Sequence, residues 1–520
     1  ASVVQSVAGL DESLQAHPHY TIAKHVHGAP RPKVGVVPHD VTGCVAAQNK
    51  QSSVGGFLPG DLAAAYGYDG LITGGSDGST QTIGFVEFSN YNRADAKSFR
   101  NCFTGITGTF APDTSISGGP AAHKGQVEVN LDLEVAMGAA PDATWKVYKA
   151  PNNLALLPTM LSKMRTDGVT IVSDSWGLCE LAVPVKLTAN ENTALELLAA
   201  SGASFYVASG DDGSTDCRSL SPNAAFLAID DPSGQPFATA VGGTNLRAPP
   251  HGAFLEKAWK GSGGGISINW PKPQYQVGNT PDVPGGFCAS GPAQCRVTPD
   301  IAMDAAPQSG YIIKSRGLGA GATAVWDIVG GTSGAAPLAA AVTADANEDA
   351  GLNLGFANPF LYGTLAEPAD FHDIKKGSNS NGTGSSFTAV ANFDLVTGLG
   401  SLKGSNFAAA LATYVATPPT FEHTKLTGTH PLNLKRVKKG RLVDFTGKLT
   451  NTDNANTGIR NRQILVIGNG RIIGVDRTDA TGVWDIKFKV TKRLSWHAVF
   501  MGSDVERPSQ SPGRTVRIRH

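Results

Sequence analysis

Three short segments carry side chains that together could perform acyl transfer. The first is Gly330-Gly331-Thr332-Ser333-Gly334-Ala335-Ala336-Pro337, entered by the apolar run Val325–Val329 and left by the helical run Leu338–Ala346. A glycine-flanked serine at a helix N-terminus has an accessible hydroxyl and nearby backbone N–H donors, as a nucleophile requires. An ordinary N-capping serine is the alternative. A serine hydroxyl attacks poorly near or below neutral pH without a base. The second segment offers one: the helix after His123-Lys124-Gly125 carries Glu128 and Asp132. Residues four apart share a helical face, about 6 Å from each other. Two close carboxyls share protons, so one can serve as base while the other orients it. The alternative is a solvated acidic face, since Glu134 lies nearby. The third segment, Ala208-Ser209-Gly210-Asp211-Asp212-Gly213, follows a predicted strand. Asp211 then sits at a strand's carboxyl end, where functional loops gather; an Asp-Gly turn or a calcium loop is the alternative.

The elements around these segments alternate. Thr82–Phe88, Trp145–Lys149, Val169–Ser173 and Ser204–Ala208 read as strands. Gly125–Ala140 reads as a helix with Val129, Leu133 and Ala136 on its apolar face, and Glu191–Ala200 as another. Such alternation predicts an α/β domain with a parallel sheet covered on both faces. Gly261-Ser262-Gly263-Gly264-Gly265 reads as a surface linker or as a turn where backbone approaches a ligand closely. Near Thr417-Pro418-Pro419 the texture changes. The runs Leu442–Leu449, Gln463–Ile467, Gly482–Val490 and Ser495–Met501, separated by turns such as Asn469-Gly470, predict an antiparallel, immunoglobulin-like β-sandwich. The expected division is an N-terminal arm or propeptide remnant over 1–56, a catalytic domain over 57–415 and an accessory β-domain over 416–520.

Bulk properties bound the function. The 520 residues are 41% hydrophobic and 17% charged, with 43 basic and 43 acidic side chains. The zero net charge hides an asymmetry: residues 416–520 hold 19 Lys and Arg against 8 Asp and Glu, about +11, and the remainder is about −11. The tail's Lys435-Arg436-Val437-Lys438-Lys439 admits adhesion to an acidic surface or polymer, though a solvated module is the plainer reading. No nucleic-acid motif and no apolar run long enough to span a membrane is present. The start, Ala1-Ser2-Val3-Val4, lacks the character of a signal peptide, so the expected chain has lost its leader. His17, His19, His25 and His27 read as surface histidines. The six cysteines predict disulfides formed in an oxidising compartment, Cys288–Cys295 first, with Cys44–Cys102 and Cys179–Cys217 as guesses. Asn381-Gly382-Thr383 is a glycosylation sequon, meaningful only in a eukaryotic secretory route.

Taken in order, Glu-x-x-x-Asp on a helix, Ser-Gly-Asp-x-Gly after a strand and Gly-Gly-Thr-Ser-x-x-x-Pro before a helix resemble the sedolisins, the serine-carboxyl peptidases of the subtilisin-like clan. Ser173-Asp174-Ser175-Trp176-Gly177, Ala240-Val241-Gly242-Gly243-Thr244, Val297-Thr298-Pro299-Asp300 and Asn358-Pro359-Phe360-Leu361-Tyr362 match as well. The resemblance spans roughly residues 57–412. It implies a subtilisin-like doubly wound sheet and a secreted, acid-active endopeptidase made as a zymogen. It implies that Ser333 attacks, Glu128 takes its proton, Asp132 holds Glu128, and a neutral Asp211 donates to the oxyanion. Glu87 and Trp176 would extend the carboxyl network. It further implies one calcium ion, held by the carboxylates of Asp373 and Asp394 and the carbonyls of Ile374, Val390 and Asn392; the family often has glycine where Val390 and Asn392 stand. Partners would be protein or peptide substrates and the enzyme's own propeptide, as inhibitor and chaperone. Activity between about pH 3 and 5 is expected from ordinary carboxyl pKa values. A histidine-dependent subtilisin-type protease is the rival, but its only echo, Gly428-Thr429-His430, follows Ser333 and falls in the β tail. A non-catalytic binding protein on the same fold is the other.

Overall fold

The computed structural model describes residues 14–23, 43–221, 224, 226–247, 254–281, 295–319, 321–363, 370–382, 386–414, 422–429, 436–460, 462–469, 471–500, 506 and 509–518. Six short runs, nearly continuous in buried residues, form its parallel centre: Thr82–Glu87 (β1), Thr144–Lys149 (β2), Ile171–Asp174 (β3), Ser204–Ala208 (β4), Thr239–Arg247 (β5) and Ile301–Asp304 (β6). A strand covered on both faces has no solvent side, so it keeps its apolar character along its length. They belong to a nine-stranded sheet with central order β5-β4-β3-β1-β2; β6 also pairs with β5, and Leu255–Ala258 adds an antiparallel edge.

This order fixes where chemistry can occur. The chain leaves β1 toward β2 on one side, then returns to lay β3, β4 and β5 on the other. The crevice beyond the carboxyl ends of β1 and β3 is therefore a topological switch point, the usual place for a site in an open α/β sheet. Glu87 ends β1, Asp174 ends β3, and Asp211 lies three residues past β4.

Three helices matter to this crevice and its sheet. Gln126–Ala139 (α1) is buried over its whole length from Val127 to Ala139, so the expected one-sided apolar stripe is incomplete. Its three acids face protein rather than water. Val185–Ala200 (α2) starts six residues before the predicted Glu191. Thr332–Ala350 (α3) is alanine-rich and buried through Asn347, and it packs on α1 and across β3, β4 and β5. Small side chains let its backbone approach the sheet closely. The Gly261–Gly265 segment is a buried close approach, not a linker: a Cβ on Gly263 would collide with the Ser209 carbonyl, and Gly263 N–H donates to Gly210 O at 2.8 Å.

The C-terminal region forms two sheets. One holds Thr424–Leu426, Arg441–Asn451, Thr457–Gly458 and Val483–Val490; the other holds Arg436–Val437, Gln463–Gly468, Arg471–Arg477, Leu494–Phe500, Ser509–Gln510 and Arg514–Ile518. Alternate residues Trp484, Ile486 and Val490 point inward, and Phe445 meets Trp496 edge-on at 4.6 Å across the core. Among the described strands of this region, pairing is antiparallel except for Arg436–Val437, which runs parallel to Arg517–Ile518. Leu465, Ile467 and Val499 seat this sandwich on buried Trp270, with Val185 and Ala189 alongside. Cys44–Cys102 and Cys179–Cys217 are bonded as guessed. Cys295 is disulfide-bonded too, while its expected partner Cys288 lies outside the described residues.

Because Gly263 backs the Asp211 turn without space for a methyl group, Gly263→Ala should cost about 1–3 kcal/mol, the usual penalty of overpacking. Chemical denaturation would check this; an unchanged midpoint would contradict the close approach.

Candidate active site

Ser333 lies in the first turn of α3, one residue beyond the first helical position. It is not the N-cap: that is Gly331, with φ of 115°, a conformation that disfavours side chains. Pro337 has no N–H to give to the Ser333 carbonyl four residues back. The Ser175 hydroxyl lies 3.3 Å from that carbonyl and 2.8 Å from Asp132 Oδ1, to which it donates. The proline thus frees an acceptor beside the nucleophile.

The carboxyls form a buried chain. Glu128 faces the Ser333 hydroxyl, Asp132 lies between Glu128 and Glu87, and the indole N–H of Trp176 donates to Glu87 Oε2 at 2.9 Å. Ser333 Oγ also points toward the Ser175 carbonyl, at 3.5 Å. Neither oxygen of Glu128 has a well-aligned hydrogen bond, and such contacts commonly tighten only with substrate in place. Burial pushes Glu128 and Glu87 well above the usual carboxyl range, and their neighbours' charges push them further. Burial raises Asp132 as well, against the Ser175 hydroxyl that donates to it and the carboxyls of Glu128 and Glu87 beside it. The third acid of α1, Glu134, stands apart and accepts the backbone N–H of Lys314 at 2.6 Å.

Asp211 reaches the same place from β4. Its Oδ1 accepts the backbone N–H of Thr332 at 2.8 Å and the Thr332 hydroxyl at 3.0 Å, and the Thr21 hydroxyl approaches Oδ2 at 3.3 Å. Burial lifts its carboxyl to about 6 against these hydrogen bonds and the nearby His19. Oδ1 thus takes two donors from Thr332, while Oδ2 takes only the Thr21 hydroxyl.

Residues 14–23 thread the crevice. His17 and Pro18 pair antiparallel with Gly177 and Trp176, and Thr21 and Ile22 pair with Gly330 and Val329. Between these strands His19 N–H donates to Ser175 O at 3.1 Å, and Ser333 N–H donates to His19 O at 3.0 Å. A Cβ on Gly331 would run into that same carbonyl and lie 2.7 Å from Asp211 Oδ2. His19 is therefore no surface histidine: it is 6% exposed, with Nε2 3.3 Å from Asp230 Oδ2. His25 and His27 lie outside the described residues. The polar sequence of this arm gave no periodic signal, because its binding is mostly through backbone.

The five expected calcium ligands lie on two neighbouring loops. Asn392 N–H donates to the Asp373 carboxylate and Val390 N–H to Asp394 Oδ2, both at 3.1 Å. Asn392 adopts φ of 65°, so asparagine here takes the left-handed turn that a glycine would. Two carboxylates and three carbonyls are oxygen donors of the kind calcium takes, and Asp373 here also pairs with Lys375 Nζ at 3.2 Å.

The profile of the subtilase family matches residues 91–353. Kumamolisin from Bacillus sp. (strain MN-32) is 32% identical over 433 residues, 79% of this chain and 71% of that protein. Sedolisin from Pseudomonas sp. (strain 101) is 27% identical over 420 residues, 77% of this chain and 66% of the relative. Human tripeptidyl-peptidase 1 is 29% identical over 369 residues, covering 66% and 61%. Among solved structures, Pseudomonas sedolisin, a serine-carboxyl proteinase complexed with pseudo-iodotyrostatin, aligns over 68% of this chain and 97% of its own with a TM-score of 0.57 and 25% identity. A subtilisin-like sheet with such relatives makes this a serine peptidase. The chain belongs to the sedolisin family.

The buried acids make stability depend on pH. Burial also raises Glu180, which accepts Ile268 N–H at 2.8 Å, to about 8. In an unfolded chain these groups titrate near 4. Between those values the folded protein keeps protons that the unfolded chain releases, so stability is full below about pH 4 and falls as pH climbs to about 8. Denaturant midpoints should be lower at pH 8 than at pH 5, and Glu180→Gln should flatten the slope. A midpoint that rises with pH over this interval would contradict the assignment.

Proposed function

We propose that this chain is a secreted, acid-active endopeptidase that forms an acyl-enzyme on Ser333, residues 57–415 being its catalytic domain and 416–520 an accessory β-domain. One observation carries the reading: residues 14–23 lie in the crevice as a substrate would, with the His19 carbonyl on Ser333 N–H and, like the Asp211 carboxyl, close against Gly331. In this mechanism Ser333 Oγ attacks the carbonyl carbon. Its proton passes to Glu128 as Glu128's own proton passes to the carboxylate of Asp132 beside it. Glu87 and Trp176 hold the far end of the chain. Ser333 N–H and the neutral Asp211 donate to the oxyanion. Collapse breaks the C–N bond and returns a proton to the leaving amine. Water then cleaves the ester by the same path.

Six residues, Leu14 to His19, lie on the amino side of that carbonyl. Leu14 O accepts Leu154 N–H at 2.8 Å and Ala16 N–H donates to Asn152 Oδ1 at 2.8 Å. A crevice that holds six residues on this side supports internal cleavage, since a tripeptidyl peptidase needs room for three. The same seating makes the arm an inhibitory segment of a zymogen, cut at His19–Tyr20. Incubated at pH 4, the chain should acquire Tyr20 as a new N-terminus and then digest a denatured protein. Activity should fall as pH rises through about 6, where Asp211 loses its proton. Ser333→Ala should abolish both cleavages, and Glu128→Gln should slow them about 10²–10⁴-fold. Equal activity in wild type and Ser333→Ala would overturn the reading.

Calcium is part of the proposal. Asp373 and Asp394, with the carbonyls of Ile374, Val390 and Asn392, would hold one ion that clamps the two loops together. Added calcium should raise the melting temperature of the wild type and leave that of Asp394→Asn unmoved.

A further inference from the structure

A second pair of carboxyls, which takes no part in the proton transfers, lies behind one wall of the crevice. That wall is a three-stranded sheet. Its middle strand, Trp176–Cys179, pairs on one edge with His17–Pro18 of the arm and on the other with Asp230–Asp231. Asp231 sits opposite Leu178, and its side chain meets Glu191 of α2; both residues are fully buried. The Gln235 amide nitrogen donates to Asp231 Oδ1 at 2.9 Å and to Glu191 Oε2 at 3.4 Å, and it reaches the Thr188 carbonyl of α2 at 3.3 Å. The other two oxygens, Asp231 Oδ2 and Glu191 Oε1, are buried and receive no N–H or hydroxyl. Yet the two carboxyls are hydrogen-bonded to each other. Two acceptors can meet in this way only through a proton that one of them keeps.

No cation stands in for that proton. The charged or titratable groups facing the pair are Asp174 at the end of β3, Asp230 on the same strand, and Glu180 just past the middle strand, all of them buried acids. The His19 imidazole stops at Asp230. The Arg296 guanidinium reaches the Ser233 carbonyl, two residues from Asp231, but its ion pair is with Asp300.

We propose that Glu191 and Asp231 are positioning residues for the peptidase: the proton they share holds the middle strand of the substrate wall in place, and its loss unseats that strand. In an unfolded chain both groups titrate near 4. Burial and like charge raise both in the folded protein, so the stabilisation is full below about pH 4 and is lost as pH climbs through the raised range. Two charges then face each other out of reach of water. Substrate binding weakens, whereas Asp211 acts on the chemical step. The proposal rests on the peptidase reading, and its test separates the two.

Full-length protein, first incubated at pH 4, would be assayed on one internally quenched peptide at pH 5 and pH 7, with KM and kcat resolved. The wild-type KM should rise about tenfold or more, since one proton lost per opening shifts an equilibrium by up to about tenfold per pH unit. Glu191→Gln and Asp231→Asn each put an amide N–H where the proton was. In either variant the rise in KM should shrink to about threefold or less, while the fall in kcat that follows Asp211 persists. A rise as steep in both variants as in the wild type would overturn the proposal, and so would a wild-type KM that does not move. Denaturant midpoints need no catalysis, and from pH 5 to pH 8 they should fall less in the variants than in the wild type. If no peptide is cut, the peptidase reading fails and these midpoints decide the shared proton alone, equal falls counting against it. Failure of both variants to fold at pH 5 would also overturn it, because there an amide must do what the proton does.

Discussion

Water is excluded from a chain of carboxyls at the junction of β1, β3, β4 and α1, and the rest of the site follows from that exclusion. Glu87, Glu128 and Asp132 share an interior in which charge is costly, so they must share protons. An imidazole in this place would be charged in acid and useless as a base. Carboxyls with linked protons can pass one along where histidine cannot. The same burial that makes the network chemically useful makes the fold an acid-stable one, because each buried acid is more comfortable neutral. On the proposed mechanism, function and stability respond to pH in the same direction.

The architecture serves that network economically. The reversal of strand order between β1 and β3 opens a crevice, and the strand ends deliver Glu87 and the Ser175-Trp176 pair into it. Alanine-rich α3 comes close enough to bring Ser333 against Glu128, and Pro337 releases the Ser333 carbonyl toward Ser175. Glycines at 263 and 331 are needed for space as much as for conformation: one backs the Asp211 turn, the other lets a peptide carbonyl approach. The β-sandwich docks on Trp270, away from these groups, through a small apolar seam.

Much of this was legible in the residues. Spacing and the turns around them offered Glu128, Asp132, Asp211 and Ser333 as candidates beside plainer readings, since helical periodicity and strand-end loops are local properties, and the resemblance to the sedolisins supplied their roles. The tail's alternation likewise announced a sandwich. Less legible were groups whose importance depends on distant partners. Glu134 sits two residues from Asp132 yet turns to the Lys314 amide. His19 read as a surface histidine, and Asp230 carried no local signal, until the fold placed the two 3.3 Å apart.

The order of motifs along the chain, with the residue types in them, determined the kind of chemistry: a serine, two acids on a helix and one acid after a strand. Only the tertiary structure decided which carboxyls lose their water, and hence which share protons. It also decided that a weakly patterned arm occupies the crevice, because backbone hydrogen bonds carry no side-chain signature. Burial and backbone pairing depend on residues far apart in sequence, whereas spacing along a helix is written within a few positions.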